Sequence, residues 1–423
     1  MKRYAIILAM LLAVCPALVA QHRSEAAVKA LGEDITRAAC NHNSYEFFPI
    51  KDTPAPKGYK PFYISHYGRH GSRSGWGGDR YSYVIHVLES GERAGLLTPG
   101  GDSLLAATRK EFALYAGMDG RLTPRGVREH AAIADRMYSR YPQVFKGKKK
   151  IRAVSSTVQR CIISMTAFTN SLVRRNPKLD IRPDTGERIM EYISPPDGDW
   201  KEATRLAHEK ASAEVRKLPD DTLGVLDRLF TDPVAALKLV PSPKRLTDCI
   251  FTVAEMAEDF DIEEDLFRFL PFDAIYRRWA RHNVNLYTGQ CNSLESGGER
   301  VPMAKPTVDD IVAKADEAIA GGEYAADLRF GHDYPLLGLV SYLGIEGVGE
   351  RYAADEICDK WLAFWEIPMA SNLQMILYRN KKGDVLVKFL YQEQERLLRG
   401  LKPVTGPYYR WEDVKANIAG YLR

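Results

Sequence analysis

Cysteine is scarce in this chain, six in 423 residues, and none stands in a C-x-x-C pair. That spacing argues against a zinc-ligated site. Charge of one sign is not in excess either: 59 Lys and Arg face 55 Asp and Glu, for a formal net charge of +4. Global charge therefore gives no reason to expect nucleic-acid binding, and any strong positive field must be local. Repeats and low-complexity tracts are absent, and no segment is biased enough to predict disorder.

Long apolar runs are missing except at the start. Lys2 and Arg3 precede Ile6–Val14, and Leu18-Val19-Ala20 stands before Gln21. A charged start, an apolar middle and small residues at a cleavage point read as a signal peptide over 1–20. The run is too short to span a bilayer. Lipidation at Cys15 is disfavoured by the bulky Val14 before it. The expectation is an exported protein, periplasmic or secreted, with no transmembrane segment in the mature chain and a net charge of about +2. Five cysteines would remain: Cys40, Cys161, Cys249, Cys291 and Cys358. An odd number cannot all pair, so one or two disulfides are expected, without a readable connectivity.

What is present is a large apolar share, 45% of 423 residues, enough for two or three structural units. The run Pro61-Phe62-Tyr63-Ile64-Ser65 predicts a buried strand. Helices are expected over 79–95 and 102–117 from three- and four-residue apolar spacing. Leu122-Thr123-Pro124-Arg125-Gly126 reads as a helix start, with Thr123 capping and Pro124 in the first turn. That helix runs to about Tyr141 with Val127, Ala131, Ile133, Ala134 and Met137 inward. A strand at 148–154, a helix from Val158 to Arg174, a strand at Asp327–Gly331 and a hairpin of Leu373–Tyr378 with Val385–Tyr391 complete an α/β pattern. Residues 185–325, rich in Ala, Leu, Glu, Lys and Arg with proline breaks, read as a mostly helical insertion. The divisions expected are thus 21–184 and 326–423 for the α/β core and 185–325 for the insertion.

Chemistry concentrates where predicted strands end. Arg69-His70-Gly71-Ser72-Arg73 follows the first strand. Arginine presents a planar, permanent charge suited to phosphate oxygens, and a neutral histidine between two of them can act as a nucleophile. Gly71 reads as the residue that lets the backbone turn and approach a ligand. Ser155-Ser156-Thr157-Val158-Gln159-Arg160 follows the second strand, and His332-Asp333 the later one. The ends of strands are where α/β folds place ligands.

Together these segments resemble branch 2 of the histidine phosphatase superfamily, that of acid phosphatases and phytases. R-H-G-x-R and the distant H-D are its two signature motifs, and S-S-T-V-Q-R is similar to its intervening S-T-D-V-D-R-T. Pro368-Met369-Ala370-Ser371-Asn372 is similar as well. The resemblance implies a phosphoglycerate mutase-like fold: a mixed, largely parallel sheet flanked by helices, with a helical cap. It implies His70 as nucleophile, Asp333 as general acid and base, and Arg69, Arg73, Arg160 and His332 as holders of the phosphate, with no metal and no cofactor. Because Val158-Gln159 departs from the family pattern before the arginine, Arg152 rivals Arg160; Arg152 is otherwise a strand-edge charge. Asp333 also reads as a helix cap. His66 reads as a packed or supporting residue, and His86, His130, His208 and His282 as surface or satisfied positions.

The implied substrate is a phosphomonoester. The stretch Tyr63–Arg73 is similar to bacterial multiple inositol polyphosphate phosphatases, which implies an inositol polyphosphate such as phytate. His332-Asp333-Tyr334 stands where that group carries H-A-E; the Asp variant is shared with general acid phosphatases and other phytases, so a broad-specificity acid phosphatase is the alternative. A phosphate-binding protein would need neither nucleophile nor acid, and export weighs against a mutase. Candidate rim cations are Lys148-Lys149-Lys150, Arg174-Arg175, Lys201, Arg205 and Arg277-Arg278, which at such spacing also suit solvated faces.

Overall fold

The apolar run at Pro61 opens a longer strand than its composition suggests, β1 (Lys60–Arg69), and Tyr63 through Arg69 are buried without interruption. A strand covered on both faces has no solvent side to alternate with. In the computed structural model, residues 23–195 and 200–421 are described. The expected signal peptide, with Cys15, lies outside the described residues, as do Pro196 and the side chain of Lys201.

The other strands are β2 (Lys150–Ser155), β3 (Asp180–Thr185), β4 (Tyr324–Gly331), β5 (Asn372–Arg379), β6 (Val385–Tyr391), β7 (Gln394–Arg396) and β8 (Tyr409–Arg410). Among the described residues they form one sheet in the order β3-β2-β4-β1-β5-β6-β7, with β8 on β6. The β3-β2-β4-β1 half is parallel, and β5 joins β1 antiparallel. The fold is therefore the mixed, centrally parallel α/β sheet that the sequence pattern predicted. β3 escapes sequence reading because Asp-Ile-Arg-Pro-Asp-Thr is polar and holds a proline, tolerable only on the edge strand it forms.

Alternate residues feed two cores. Tyr63 and Tyr67 of β1 join Leu373, Met375 and Leu377 of β5 on one face. Ile64 joins Leu328, Phe330 and Ile376 on the other. The first core continues into helices α1 (Gly78–Arg93), α2 (Pro99–Tyr115), α5 (Pro243–Met256) and α6 (Phe272–Gln290). The second lies under α3 (Pro124–Arg140) and α4 (Gln159–Arg175). Helix α7 (Lys305–Ile319) packs on β1 and β4 and on α8 (Asp333–Leu343). Because α1 and α2 pack with helices from 224–270, the helical layer beside the site draws on two separate stretches of chain.

Three local expectations change. On α3 Val127 is exposed, and His130 takes the inward position beside Gly126, Ile133 and Met137. Thr123 stands at the N-cap, but its hydroxyl donates to the Ser72 carbonyl at 3.1 Å, tying the helix to the Arg69–Arg73 loop. The cysteines Cys40, Cys161, Cys249, Cys291 and Cys358 are all free, so the expected disulfides are not formed. Burial pushes the Cys161 thiol up to about 12, as befits a packing residue. No helix among the described residues is long and apolar enough to cross a membrane.

Candidate active site

Strands β2, β4 and β1 are neighbours and parallel, so their carboxyl ends lie side by side. Arg69 ends β1, Ser155 ends β2 and leads into α4, and Gly331 ends β4 just before His332 and Asp333. Backbone bonds lock these ends together. His70 N donates to the Gly331 carbonyl at 2.9 Å, Ser156 N to Phe330 at 2.9 Å, and Arg69 N to Ser371 at 2.8 Å. The His70 carbonyl accepts from Ala370 N at 3.0 Å. Ala370 holds φ at 54°, a left-handed conformation costly to a residue with a Cβ.

His70 is buried, and its Nδ1 lies 2.9 Å from the Gly71 carbonyl. A carbonyl only accepts, so the proton sits on Nδ1 and the Nε2 lone pair is free. Burial, then the charges of Arg69, Arg160 and Arg73, hold the imidazole well below its ordinary 6.5. The ring is kept neutral in acid.

Around it stand three guanidiniums. Arg69 is fully buried; its Nη1 donates to the carbonyls of Asn41 at 2.6 Å and Ile367 at 2.7 Å. Arg73 donates to the Ser74 carbonyl at 2.9 Å, and its Nη2 lies 3.4 Å from His42 Nε2. Arg160 Nη2 lies 3.3 Å from His332 Nδ1. The indole of Trp76, 60% exposed, spans Arg73 at 4.8 Å and Arg160 at 5.5 Å. Among the described residues, buried N–H groups without hydrogen-bond partners remain on all three: Nε of Arg69, Nε of Arg73 and Nε of Arg160. Unmet buried donors carry a cost that an anion with several oxygens would relieve.

His332 occupies the N-cap of α8, with Nε2 3.1 Å from Ser156 Oγ and its ring stacked on Tyr334. Its ring centre is 5.6 Å from that of His70. Burial and Arg160 bring it down to about 4. Asp333 is therefore not the cap but the first helical residue. Its Oδ2 accepts from Asn41 Nδ2 at 2.8 Å and lies 3.2 Å from Arg69 Nη2, while Oδ1 accepts from Tyr334 N at 2.9 Å. Burial alone would raise this carboxyl, but Arg69, His332 and Arg73 outweigh it and hold it below 3.8.

All six residues singled out from sequence thus meet in one place. Arg152 does not join them: it pairs with Glu317 at 3.1 Å and Asp327 at 3.2 Å midway along β2. The rim cations are also elsewhere. Lys148 and Lys149 are exposed before β2, and Lys150, which starts it, pairs with Glu323; Arg174 and Arg175 close α4 at the end away from Arg160. Arg205 pairs with Glu202 and Glu209. Arg278 is buried against Asp220 at 2.7 Å and Asp248 at 2.5 Å, and Arg277 donates to the Leu218 carbonyl. His86 and His208 are exposed, whereas His66 is buried against Phe168 and Phe330.

Sequence reasoning missed four residues. His130 is fully enclosed, its ring set edge-on against Phe168 and Phe330. Glu129 accepts from Ser72 N at 2.7 Å and Ser72 Oγ at 2.8 Å, bracing the loop; its place three residues after Gly126, on the same helix face, was the available signal. His42 and His282 face each other at 6.2 Å, and burial depresses both, His282 to about 4. Nothing local in the sequence distinguishes these two.

Gly71 owes its place to space rather than to a left-handed turn. A Cβ there would lie 2.6 Å from the Gly126 carbonyl oxygen and 2.7 Å from Gly126 Cα, both backbone. Gly71→Ala is therefore expected to push the loop off α3, costing about 1–3 kcal/mol and a several-degree drop in Tm. Thermal unfolding with and without inorganic phosphate checks this; an unchanged Tm would remove the close-packing account.

A family model for the histidine phosphatase superfamily (branch 2) matches residues 68–392. Among solved structures, the Bifidobacterium longum multiple inositol polyphosphate phosphatase in complex with inositol hexasulfate is similar at a TM-score of 0.71 and 17% identity, over 90% of this chain and 97% of that one. The phytase from D. castellii is similar at 0.67 and 14% identity, over 92% and 85%. Hafnia alvei phytase in complex with tartrate reaches 0.51 at 10% identity, over 87% and 98%. No curated protein matches the sequence. At these identities the structural likeness carries the fold.

Proposed function

Because this chain belongs to branch 2 of the histidine phosphatase superfamily and is a phosphomonoester hydrolase, we propose that it is exported and hydrolyses inositol polyphosphates such as phytate, with His70 carrying the phosphoryl group. The observation that carries the chemistry is the set of buried, unmet Nε–H groups on three arginines, Arg69 and Arg73 buried and Arg160 half-buried, whose charges all act on His70. A phosphoryl group offers three non-bridging oxygens to such a set, and phosphoryl transfer asks a protein mainly for positioning and charge stabilisation.

In this reading Arg69, Arg73, Arg160 and His332 hold the phosphate with phosphorus before the free Nε2 of His70. Nε2 attacks in line, the P–O bond to the alcohol breaks, and the departing oxygen takes a proton from Asp333. Water then attacks the phosphohistidine, Asp333 takes its proton, and inorganic phosphate leaves. The charges of Arg69, His332 and Arg73 favour the ionised form of Asp333; a negative phosphate offsets the arginines, and so favours the protonated acid that the first step needs. The inositol polyphosphate substrate is supported by the family and by relatives whose names state that class. His332-Asp333-Tyr334 supports a broad-specificity acid phosphatase as the second reading.

The test is phosphate release from phytate and from p-nitrophenyl phosphate across pH. Both should be hydrolysed, phytate with the higher kcat/KM. Since the depressed His70 stays neutral well below 6.5, activity should persist at about pH 5 and not fall as an ordinary histidine protonates. Release from the small ester alone would favour the second reading. Silence on both would defeat hydrolysis of either class.

A further inference from the structure

We propose that Asn41 is a positioning residue whose side-chain amide fixes the general acid Asp333 while the substrate phosphate occupies the arginines. This rests on the reading of Asp333 as proton donor. It adds to that reading a residue from ahead of the stretch 68–392 that the family model matches.

Asn41 belongs to the short 3-10 segment Ile35–His42, which packs on α5 and α6. Its side chain is buried, and its Nδ2 donates to Asp333 Oδ2 at 2.8 Å. Its backbone carbonyl accepts from Arg69 Nη1 at 2.6 Å. Arg69 Nη2 in turn lies 3.2 Å from the same Asp333 oxygen, which closes a triangle of three residues. The chain bends sharply to bring Asn41 there. Cys40 holds φ at 59° and ψ at −120°, a conformation costly to a residue with a Cβ and kept only where its surroundings fix it. Beyond the bend the Asn43 carbonyl accepts from Met369 N at 2.9 Å, next to the Ala370 that holds the His70 carbonyl.

A neutral amide is the residue type this place needs. Arg69 must serve both the phosphate and Asp333, so substrate draws part of its fork away from the carboxyl. Asn41 then remains on Oδ2. A second cation in its place would favour the ionised carboxylate and oppose the proton that the first step needs, whereas an amide N–H opposes it far less. The hold on Arg69 comes from the backbone of Asn41, so a substitution at 41 separates positioning of the acid from holding of the phosphate.

The test compares the parent, Asn41→Leu, Asp333→Asn and the double variant on phytate and p-nitrophenyl phosphate across pH. Asn41→Leu should lower kcat on phytate about tenfold, the loss of a hydrogen bond to a charged group, with KM and p-nitrophenyl phosphate turnover within about twofold. The alkaline limb of kcat on phytate should move up by about one pH unit, because a donor to ionised Asp333 is gone. Among the other groups facing Asp333, the guanidiniums of Arg69, Arg73 and Arg160 stay charged, and Tyr67 of β1 and Cys161 stay neutral. His332 and His282 titrate only at about 4, below that limb. In the Asp333→Asn background Asn41→Leu should cost nothing further, whereas a merely structural role would cost the same in both. Asn41→Asp, which keeps the shape, should also move the limb up, and serves if the Leu variant fails to fold. Equal losses on both substrates, an unmoved limb or full additivity would overturn the role of Asn41. Selective loss in Asp333→Asn with silent Asn41 variants defeats this inference alone; a non-selective Asp333→Asn defeats the acid reading beneath it too.

Discussion

His70→Ala should abolish phosphate release, with kcat falling by at least about four orders of magnitude on every substrate, the scale seen when a covalent nucleophile is removed. The loss should be chemical, not structural. The two backbone bonds that hold position 70, from its N–H to Gly331 and from Ala370 to its carbonyl, do not involve the side chain. Among the described residues the imidazole has one hydrogen bond, to the neighbouring Gly71 carbonyl. Tm should therefore move by only a few degrees, and inorganic phosphate should still bind to the arginine cradle. Quenching the parent in alkali during turnover of radiolabelled substrate should leave label on the protein, and His70→Ala should retain none. Turnover within about tenfold of the parent would rule out the phosphohistidine route.

The second large effect should be selective. Asp333→Asn keeps the shape of the side chain and an oxygen to accept from Asn41, but removes the proton donor. Hydrolysis of phytate and other alkyl phosphates should fall by about 10²–10⁴-fold, the usual weight of a general acid. p-Nitrophenyl phosphate, whose leaving group needs little protonation, should lose no more than about tenfold. Equal losses on both substrates would take Asp333 out of the acid role. The same variant carries a stability signature. A carboxyl held below 3.8 in the folded protein stabilises it above the unfolded value, and this contribution vanishes as pH falls through the folded value. Asp333→Asn should accordingly lower Tm at neutral pH, leave Arg69 without its carboxylate partner, and converge with the parent in strong acid.

Much of this site is legible in sequence because its parts are short and local. An apolar run followed by Arg69-His70-Gly71-Ser72-Arg73 specifies a strand and the loop that leaves it. Arg160 lies in the first turn after β2, and His332-Asp333 at the turn after β4. The rivalry of Arg152 and Arg160 is a different matter. Both belong to one strand-to-helix unit, eight residues apart, and pattern alone gives each a plausible role. The register of β2 on β4 decides between them by setting Arg152 opposite Asp327, which takes its charge. Arg278 fares likewise: its sequence neighbours suggest a free rim cation, but Asp220 and Asp248 arrive from other elements and bury it.

Residues such as His42 and His282 lay beyond sequence reading for a further reason. His42 stands more than two hundred positions from His282, so no periodicity links them. The amino-acid sequence by itself determined the α/β class and the three motif segments, together with the chemistry they can perform. Those properties follow from residue type and from periodicities of two and 3.6 along the chain. The tertiary structure alone decided which cations stay free, which are neutralised, that the cysteines remain unpaired, and that His70 is neutral. Each of these depends on burial and on through-space distance, which the packing of β1, β2 and β4 under the helices sets.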